Sequence, residues 1–412
     1  MDAPQIMCGA SFVYKGMILC YNHGNNSTQG EIYVFKKLLA ILLTCLMLIP
    51  CGVAMVGEAE TLTSWDYRYT LNNDGSATIT KYFGEDEELT VPAELDGHPV
   101  TSIGDWAFDG CDSLTSITLP DGVISIGANP FASCEQLTRI TVSPDHPTLA
   151  TIDGVLFEKP TRTLICYPCA FTVESYAVPQ GIQAIGDYAF WGCSALTNLS
   201  LPDGITSIGN AAFSYCASLT SITLPDSLTS IGDWAFSDCS SLTSIALPDG
   251  LTSIGEAAFC GCSSLTDFTL PDSLTSIGGF AFAICSSLTN LTLPDSITSI
   301  GEAAFSGCSS LTDFSLPDGI TSIGKAAFSG CSSLTSIALP DGITSIGEAA
   351  FTRCSSLTDL TLPDGITSIG KDAFAECPKL TLTVSRDSCA LAYAKENGIP
   401  YIYPDSMDWL NG

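Results

Sequence analysis

A chain of 412 residues has room for two or three ordinary domains, and with 46% hydrophobic residues its capacity for burial is not limiting. Only 14% of the residues are charged and the formal net charge is −30. Such a surface repels nucleic acid and anionic membranes, which excludes both as expected partners, and it suits cations, basic partners or solubility alone.

Residues 1–33 carry neither repeat nor periodicity and read as an N-terminal extension; the expectation is that translation begins near Val34. Residues 34–59, VFKKLLAILLTCLMLIPCGVAMVGEA, have the layout of a signal peptide. Lys36 and Lys37 are the basic start, Leu38 to Ile49 the apolar run, and the small residues ending at Ala59 the cleavage region. Extended through Val56, the same run approaches the length of a membrane span, so an uncleaved anchor is the alternative. Secretion or display on the cell surface follows from either reading.

From there the chain is periodic. Phe108 and Phe131 stand 23 residues apart, and Phe190, Phe213, Phe236, Phe259, Phe282, Phe305, Phe328, Phe351 and Phe374 continue at the same step after a gap. Every unit has Ile-Gly ending four residues before its Phe and Cys three residues after it, from Cys111 to Cys377. In Leu219-Thr-Ser-Ile222-Thr-Leu224 the alternation predicts a short strand with Ile222 and Leu224 inward and Ser221 and Thr223 outward. Pro-Asp-Gly or Pro-Asp-Ser turns the chain, because Pro presets φ and Asp and Gly tolerate turn geometry. Ile-Thr-Ser-Ile-Gly is a second short extended piece, and Glu-Ala-Ala-Phe is expected to be one helical or 3-10 turn. No coil of this size buries its apolar face alone, so neighbours must stack.

Units such as CSSLTSIALPDGITSIGEAAF resemble the BspA-like (Treponema-type) leucine-rich repeats of bacterial surface proteins. The resemblance extends to the lead-in DGSATITKYFGEDEELTVPAELDGHPVTSIGDWAF, to a hairpin-like insertion VSPDHPTLATIDGVLFEKPTRTLICYP and to the ending SRDSCALAYAKENGIPYIY. It implies a curved solenoid with a parallel sheet, used in adhesion and protein binding. The expected organisation is an N-terminal cap at 60–100, two coils at 101–141, the insertion at 142–180, nine coils at 181–384 and a C-terminal cap at 385–412. In that cap, Cys389 to Asn397 reads as a short helix stopped by Gly398.

The recurring cysteines admit two readings. Export favours disulfides, whereas stacked equivalent side chains favour a buried column of thiols used as small hydrophobes. Steps of 23 residues give single thiols rather than paired metal ligands. Cys166-Tyr-Pro-Cys169 lacks a thioredoxin-like context and reads as two strand residues or a local disulfide. Cys260, the extra cysteine of Cys260-Gly-Cys262, is expected in an exposed turn and is the candidate reactive thiol. The Asp column after Pro, from Asp121 to Asp364, is either a Ca²⁺-binding edge or a row of solvated turn residues. The second reading fits better, since Ca²⁺ wants roughly six to eight converging oxygens.

The outward strand positions form the expected ligand face. Its least uniform members are Arg139, Asp267, Asn290, Asp313 and Asp359, and Trp191 and Tyr215 stand in the variable turn before Cys. These seven are the candidate partner-binding residues. No catalytic or cofactor-binding residue stands out: past the signal only His98 and His146 occur, and no H-E-x-x-H, G-x-S-x-G or phosphate-cradling glycine loop is present. The sequence therefore reads as a non-enzymatic binding module for a protein or glycan on a host or neighbouring cell. A structural spacer is the alternative, and a hydrolase using an acidic pair is a distant third.

Overall fold

The computed structural model describes residues 60–404, and Thr61 onward forms one compact unit. The extension at 1–33, the signal reading at 34–59 and the last residues of the tail lie outside the described residues.

Each coil supplies two short strands to two parallel ladders. Ser221–Thr223 pairs with Ser244–Ala246, matching Ile222 to Ile245, and Ser230–Ile231 pairs with Ser253–Ile254. Ile222 is buried while Ser221 and Thr223 are exposed, as the alternation requires. The glycine after each Ile has a steric cause. A Cβ on Gly301 would stand 2.5 Å from Gly279 N and 2.7 Å from the Gly278 carbonyl carbon, so only glycine allows this approach to the preceding coil.

The Glu-Ala-Ala-Phe segments are not helical, contrary to expectation. Ala303, Phe305 and Gly307 donate their N–H groups to Lys325, Ala327 and Ser329 of the next coil. A helix would keep those donors within the segment. Instead, left-handed residues two before and two after the Phe, such as Ala303 (φ 53°) and Gly307 (φ 75°), close successive β-turns. An alanine there costs about 1–2 kcal/mol relative to a relaxed backbone, and it is offset by hydrogen bonds running from coil to coil.

These turns aim Phe inward. From Phe190 to Phe351 the rings are fully buried and stacked, for example Phe236 on Phe259 at 5.3 Å and 2°. Tyrosine caps the stack at three places. Tyr82 lies 5.6 Å from Phe108, Tyr167 lies 4.9 Å from Phe190, and Tyr393 lies 6.0 Å from Phe374.

Tyr167 is 23 residues before Phe190, so the second half of the insertion already follows the repeat. Thr163–Cys166 pairs with Ala184–Ile185, and Ser175–Ala177 pairs with Asn198–Ser200, both parallel. What departs from the repeat is the antiparallel hairpin Leu149–Ile152/Val155–Glu158. It partitions the core: Leu149 and Leu156 pack with the N-terminal coils, and Val155 and Phe157 with the C-terminal ones. The buried side-chain atoms without a hydrogen-bond partner among the described residues gather around this partition, on Asn129, His146, Thr148, Tyr167 and Tyr176.

The cysteine column is buried but is more than packing. Cys308 Sγ donates to Phe282 O of the preceding coil at 3.1 Å, and the bond recurs at Cys216, Cys239, Cys262, Cys285, Cys331 and Cys354. Burial pushes the Cys216 and Cys308 thiols up to about 12. Two expectations are corrected. Cys193 is not a free member of the column, because it forms a disulfide with Cys169. Cys260 is not exposed, because its position in the turn belongs to a second buried column with Ser214, Ser237 and Ala283.

The ends are closed by distinct structures. At the N-terminus, Thr61–Ser64, Tyr67–Leu71 and Ala77–Tyr82 form an antiparallel sheet, and its last strand pairs in parallel with His98–Ile103. At the C-terminus, helix α1 (Cys389–Glu396) starts at Ser388, whose Oγ accepts from Leu391 N at 3.1 Å. Gly398 (φ 65°) follows the helix end, and Tyr401–Ile402 then pairs with the last coil.

Candidate ligand face

Two rows of outward side chains run along the stack, one on each side of a central inward residue. Asn198, Ser221, Ser244, Asn290, Asp313, Ser336 and Asp359 form the first row and are exposed, and Ser200, Thr223, Ala246, Thr292, Ser315 and Thr361 form the second. The backbone of Asp267 continues the first row, paired to Ser244 on one side and Asn290 on the other. The trough between the rows deepens at two places. One hollow, of about 430 Å³, is lined by Ser175, Asn198, Ser200 and Ser221 above Tyr176 and Leu199 and carries no carboxylate. The other, of about 600 Å³, joins Asn290 and Asp313 with Asp295 and Asp318 of the neighbouring turns. There Asp313 Oδ1 accepts from Ser336 Oγ at 2.9 Å and Thr335 Oγ1 at 3.1 Å, which fixes its carboxylate against the next coil.

Of the residues singled out in sequence, the fold brings Asp267, Asn290 and Asp313 together on consecutive strands. Asp359 lies two coils beyond Asp313, with Ser336 between them. Arg139 is exposed on a separate ladder, whose edge is closed by the hairpin through Ile140 N donating to Gly154 O at 3.0 Å. Trp191 and Tyr215 are half-buried elsewhere, with rings 5.8 Å apart at 74°. Trp106 extends this aromatic group, 5.1 Å from Tyr188 and 6.3 Å from Trp191, and so ties coils on the two sides of the hairpin. Sequence reasoning missed Tyr188, and it set the turn carboxylates Asp295 and Asp318 in a row apart from the strand face that they adjoin. The signal for the latter was their place one strand length after Asn290 and Asp313.

Asp121 and the later turn aspartates are exposed, and among the described residues no three His, Cys, Asp or Glu side chains are grouped to hold a metal ion. His98 Nδ1 lies 2.9 Å from Gly75 O in the cap. His146 is buried, and its Nδ1 accepts from Leu149 N at 3.0 Å and Thr148 N at 3.3 Å. Neither imidazole reaches the trough. No helix among the described residues is long and apolar enough to cross a membrane.

Stacked 23-residue coils, a buried Phe-Leu-Ile core and a polar outward strand define a leucine-rich-repeat solenoid. The description of the BspA type leucine rich repeat region matches residues 87–163, 165–289 and 275–390, and the chain belongs to that family. A leucine-rich repeat protein from Bacteroides ovatus is 26% identical over 85% of this chain and 100% of its own, with a TM-score of 0.51. A leucine rich cell surface protein from Faecalibacterium prausnitzii is 28% identical over 84% of this chain and 98% of its own, with a TM-score of 0.45. The T. pallidum leucine rich repeat protein is 28% identical over 56% of this chain and 92% of its own, with a TM-score of 0.32. No curated protein matches the chain.

Proposed function

We propose that this chain is an extracellular binding module that presents its outward strand face to a protein or glycan of a host or neighbouring cell. One observation carries the reading: within the strand, changes of charge are confined to the outward positions. Inward strand positions hold only Ile, Leu or Phe from Ile117 to Leu360, apart from Tyr176, while the outward row changes among Ser, Arg, Asn and Asp. A core under packing constraint and a face free to vary is the division expected of a repeat used for recognition. The hollow at Asn290 and Asp313 is the first contact region, and its carboxylates favour a basic partner. Arg139 and the Trp191–Tyr215 group are proposed as accessory contacts, since aromatic residues and Arg commonly anchor interfaces. Residues 34–59 are proposed as the export signal that delivers the chain to the cell surface or medium.

The rival reading, a spacer with no specific ligand, is favoured by the near identity of successive coils. Binding of the purified protein to extracellular-matrix proteins and a glycan array separates the two. The expected result is saturable micromolar binding that weakens with salt and is reduced by Asp313→Asn. No binding to any probe at micromolar concentration supports the spacer instead.

A further inference from the structure

The nine regular coils keep large apolar side chains away from water, and the two caps do not. Among the described residues, the exposed large hydrophobics include Trp65, Leu71 and Phe83 in the N-terminal cap and Ile402 in the C-terminal one; the others lie between 124 and 173, and none lies from 181 to 384. Trp65 is 82% exposed in the turn between Thr61–Ser64 and Tyr67–Leu71. Phe83 N donates to Asp66 O at 2.8 Å, and Arg68 Cζ stands 4.9 Å over the Phe83 ring, so both adjoin that turn. At the other end, the Tyr401 and Tyr403 rings flank the exposed Ile402, 5.9 Å apart, and Arg386 Cζ stands 4.1 Å over Tyr403. Each end also finishes on a strand with one open side. Among the described residues, Thr61–Ser64 pairs only with Tyr67–Leu71, and Tyr401–Ile402 only with Thr381–Thr383.

Charge is distributed unequally between these ends. Residues 60–100 hold nine carboxylates against Arg68 and Lys81. Glu85, Glu87 and Glu88, just after Phe83, are exposed and have no ion-pair partner among the described residues. No Lys or Arg stands between Arg162 and Lys325, and six of the eleven past residue 60 lie from Lys325 onward. Of these, Arg386 and the exposed Lys395 of α1 belong to the C-terminal cap. We propose that copies of this chain join end to end, the N-terminal cap of one seated on the C-terminal cap of the next. Trp65 and Phe83 meet Ile402 and the tyrosine pair, and the carboxylates at 85–88 meet Arg386 and Lys395. The formal charge of −30 favours this geometry over side-by-side packing, which brings the acidic rows of two copies together. The contact is heterologous, since each copy offers two different surfaces, and it therefore adds copies without closing. The inference rests on the proposed export only in that cleavage near Ala59 leaves the N-terminal cap uncovered. The mass of the purified chain reports that cleavage separately, and the test is independent of any ligand.

Sedimentation velocity of the purified chain from about 1 to 100 µM, the range of weak specific interfaces, reads the association. The expected result is a weight-average mass that rises through successive multiples of the monomer and falls back in high salt. Trp65→Asp blocks one surface and Ile402→Asp the other, and each alone is expected to weaken association at least about tenfold. Mixed in equal amounts, the two variants are expected to form a dimer and nothing larger, because one intact N-terminal cap meets one intact C-terminal cap. If Ile402→Asp unfolds its cap by circular dichroism, Lys395→Glu takes its place. A wild type that stays monomeric at about 100 µM, or that stops at a closed dimer, overturns the proposal. So does a single variant that associates like the wild type, or a mixture that stays monomeric.

Discussion

Replacement of Phe282 by alanine tests the reasoning about how the coils hold together. The ring is fully buried between Phe259 and Phe305, each 5.6 Å away and within about 5° of parallel, and it meets Phe268 edge-on at 5.0 Å. Truncating a buried Phe costs about 3–5 kcal/mol through lost transfer energy and the cavity left behind. Three aromatic contacts disappear with it, which places Phe282→Ala near the upper end, at about 5 kcal/mol. The cost falls on two interfaces at once, because a solenoid coil touches only its neighbours. Phe374→Ala is the internal comparison. That ring has one stacked Phe neighbour, Phe351 at 5.3 Å, and a tyrosine cap, so its loss costs about 3 kcal/mol. Urea unfolding followed by circular dichroism reads both. Phe282→Ala is expected to lower the midpoint and broaden the transition, as the halves uncouple. A loss below about 2 kcal/mol, or a larger loss at Phe374, refutes stacking of equivalent rings as the main source of coupling.

Three further outcomes follow from single contacts. Cys193→Ser removes the bridge to Cys169 across 24 residues and is expected to cost about 3 kcal/mol, read as a lower unfolding temperature that the wild type matches only with reductant. Because burial lifts the Cys216 and Cys308 thiols from 9.0 to about 12, the folded chain holds those protons more tightly than the unfolded one. Their contribution is therefore intact below pH about 9 and lost between about 9 and 12; denaturation midpoints that stay level across that window would contradict the burial argument. Ser388→Ala removes the cap of α1 and is expected to cost about 1 kcal/mol, seen as faster hydrogen exchange at Leu391 and Ala392 with the coils unaffected.

The coil phase was legible because one bulky residue marks it. The Phe three residues before Cys recurs once in every regular coil, so its 23-residue step is the coil itself. The hairpin region was less legible for a related reason. Tyr167 fills the Phe position there without the Ala-Phe signature, and Cys169 stands one residue short of the usual cysteine position. That offset hid both the additional coil and the disulfide. Cys260 misled because a variable residue in a turn suggests exposure, whereas this turn buries alternate residues through hydrogen bonds to the next coil. In the trough, the outward strand positions followed from alternation. The convergence of Asp295 and Asp318 on Asp313 depends on how the Pro-Asp turn folds back beside the strand, which periodicity does not encode.

The equivalence of successive interfaces has a consequence for inheritance. Deleting residues 301–323 joins Ile300 to Gly324, and Gly324 then faces the backbone of Gly278 and Gly279 as Gly301 did. Phe328 stacks on Phe282 in place of Phe305, and Cys331 reaches the same carbonyl that Cys308 had used. Unequal crossing-over between such like segments adds or removes whole coils and leaves no mismatched seam. A lineage carrying this chain can thus edit its exposed row one coil at a time, by recombination rather than point substitution, without passing through an unfolded intermediate sequence.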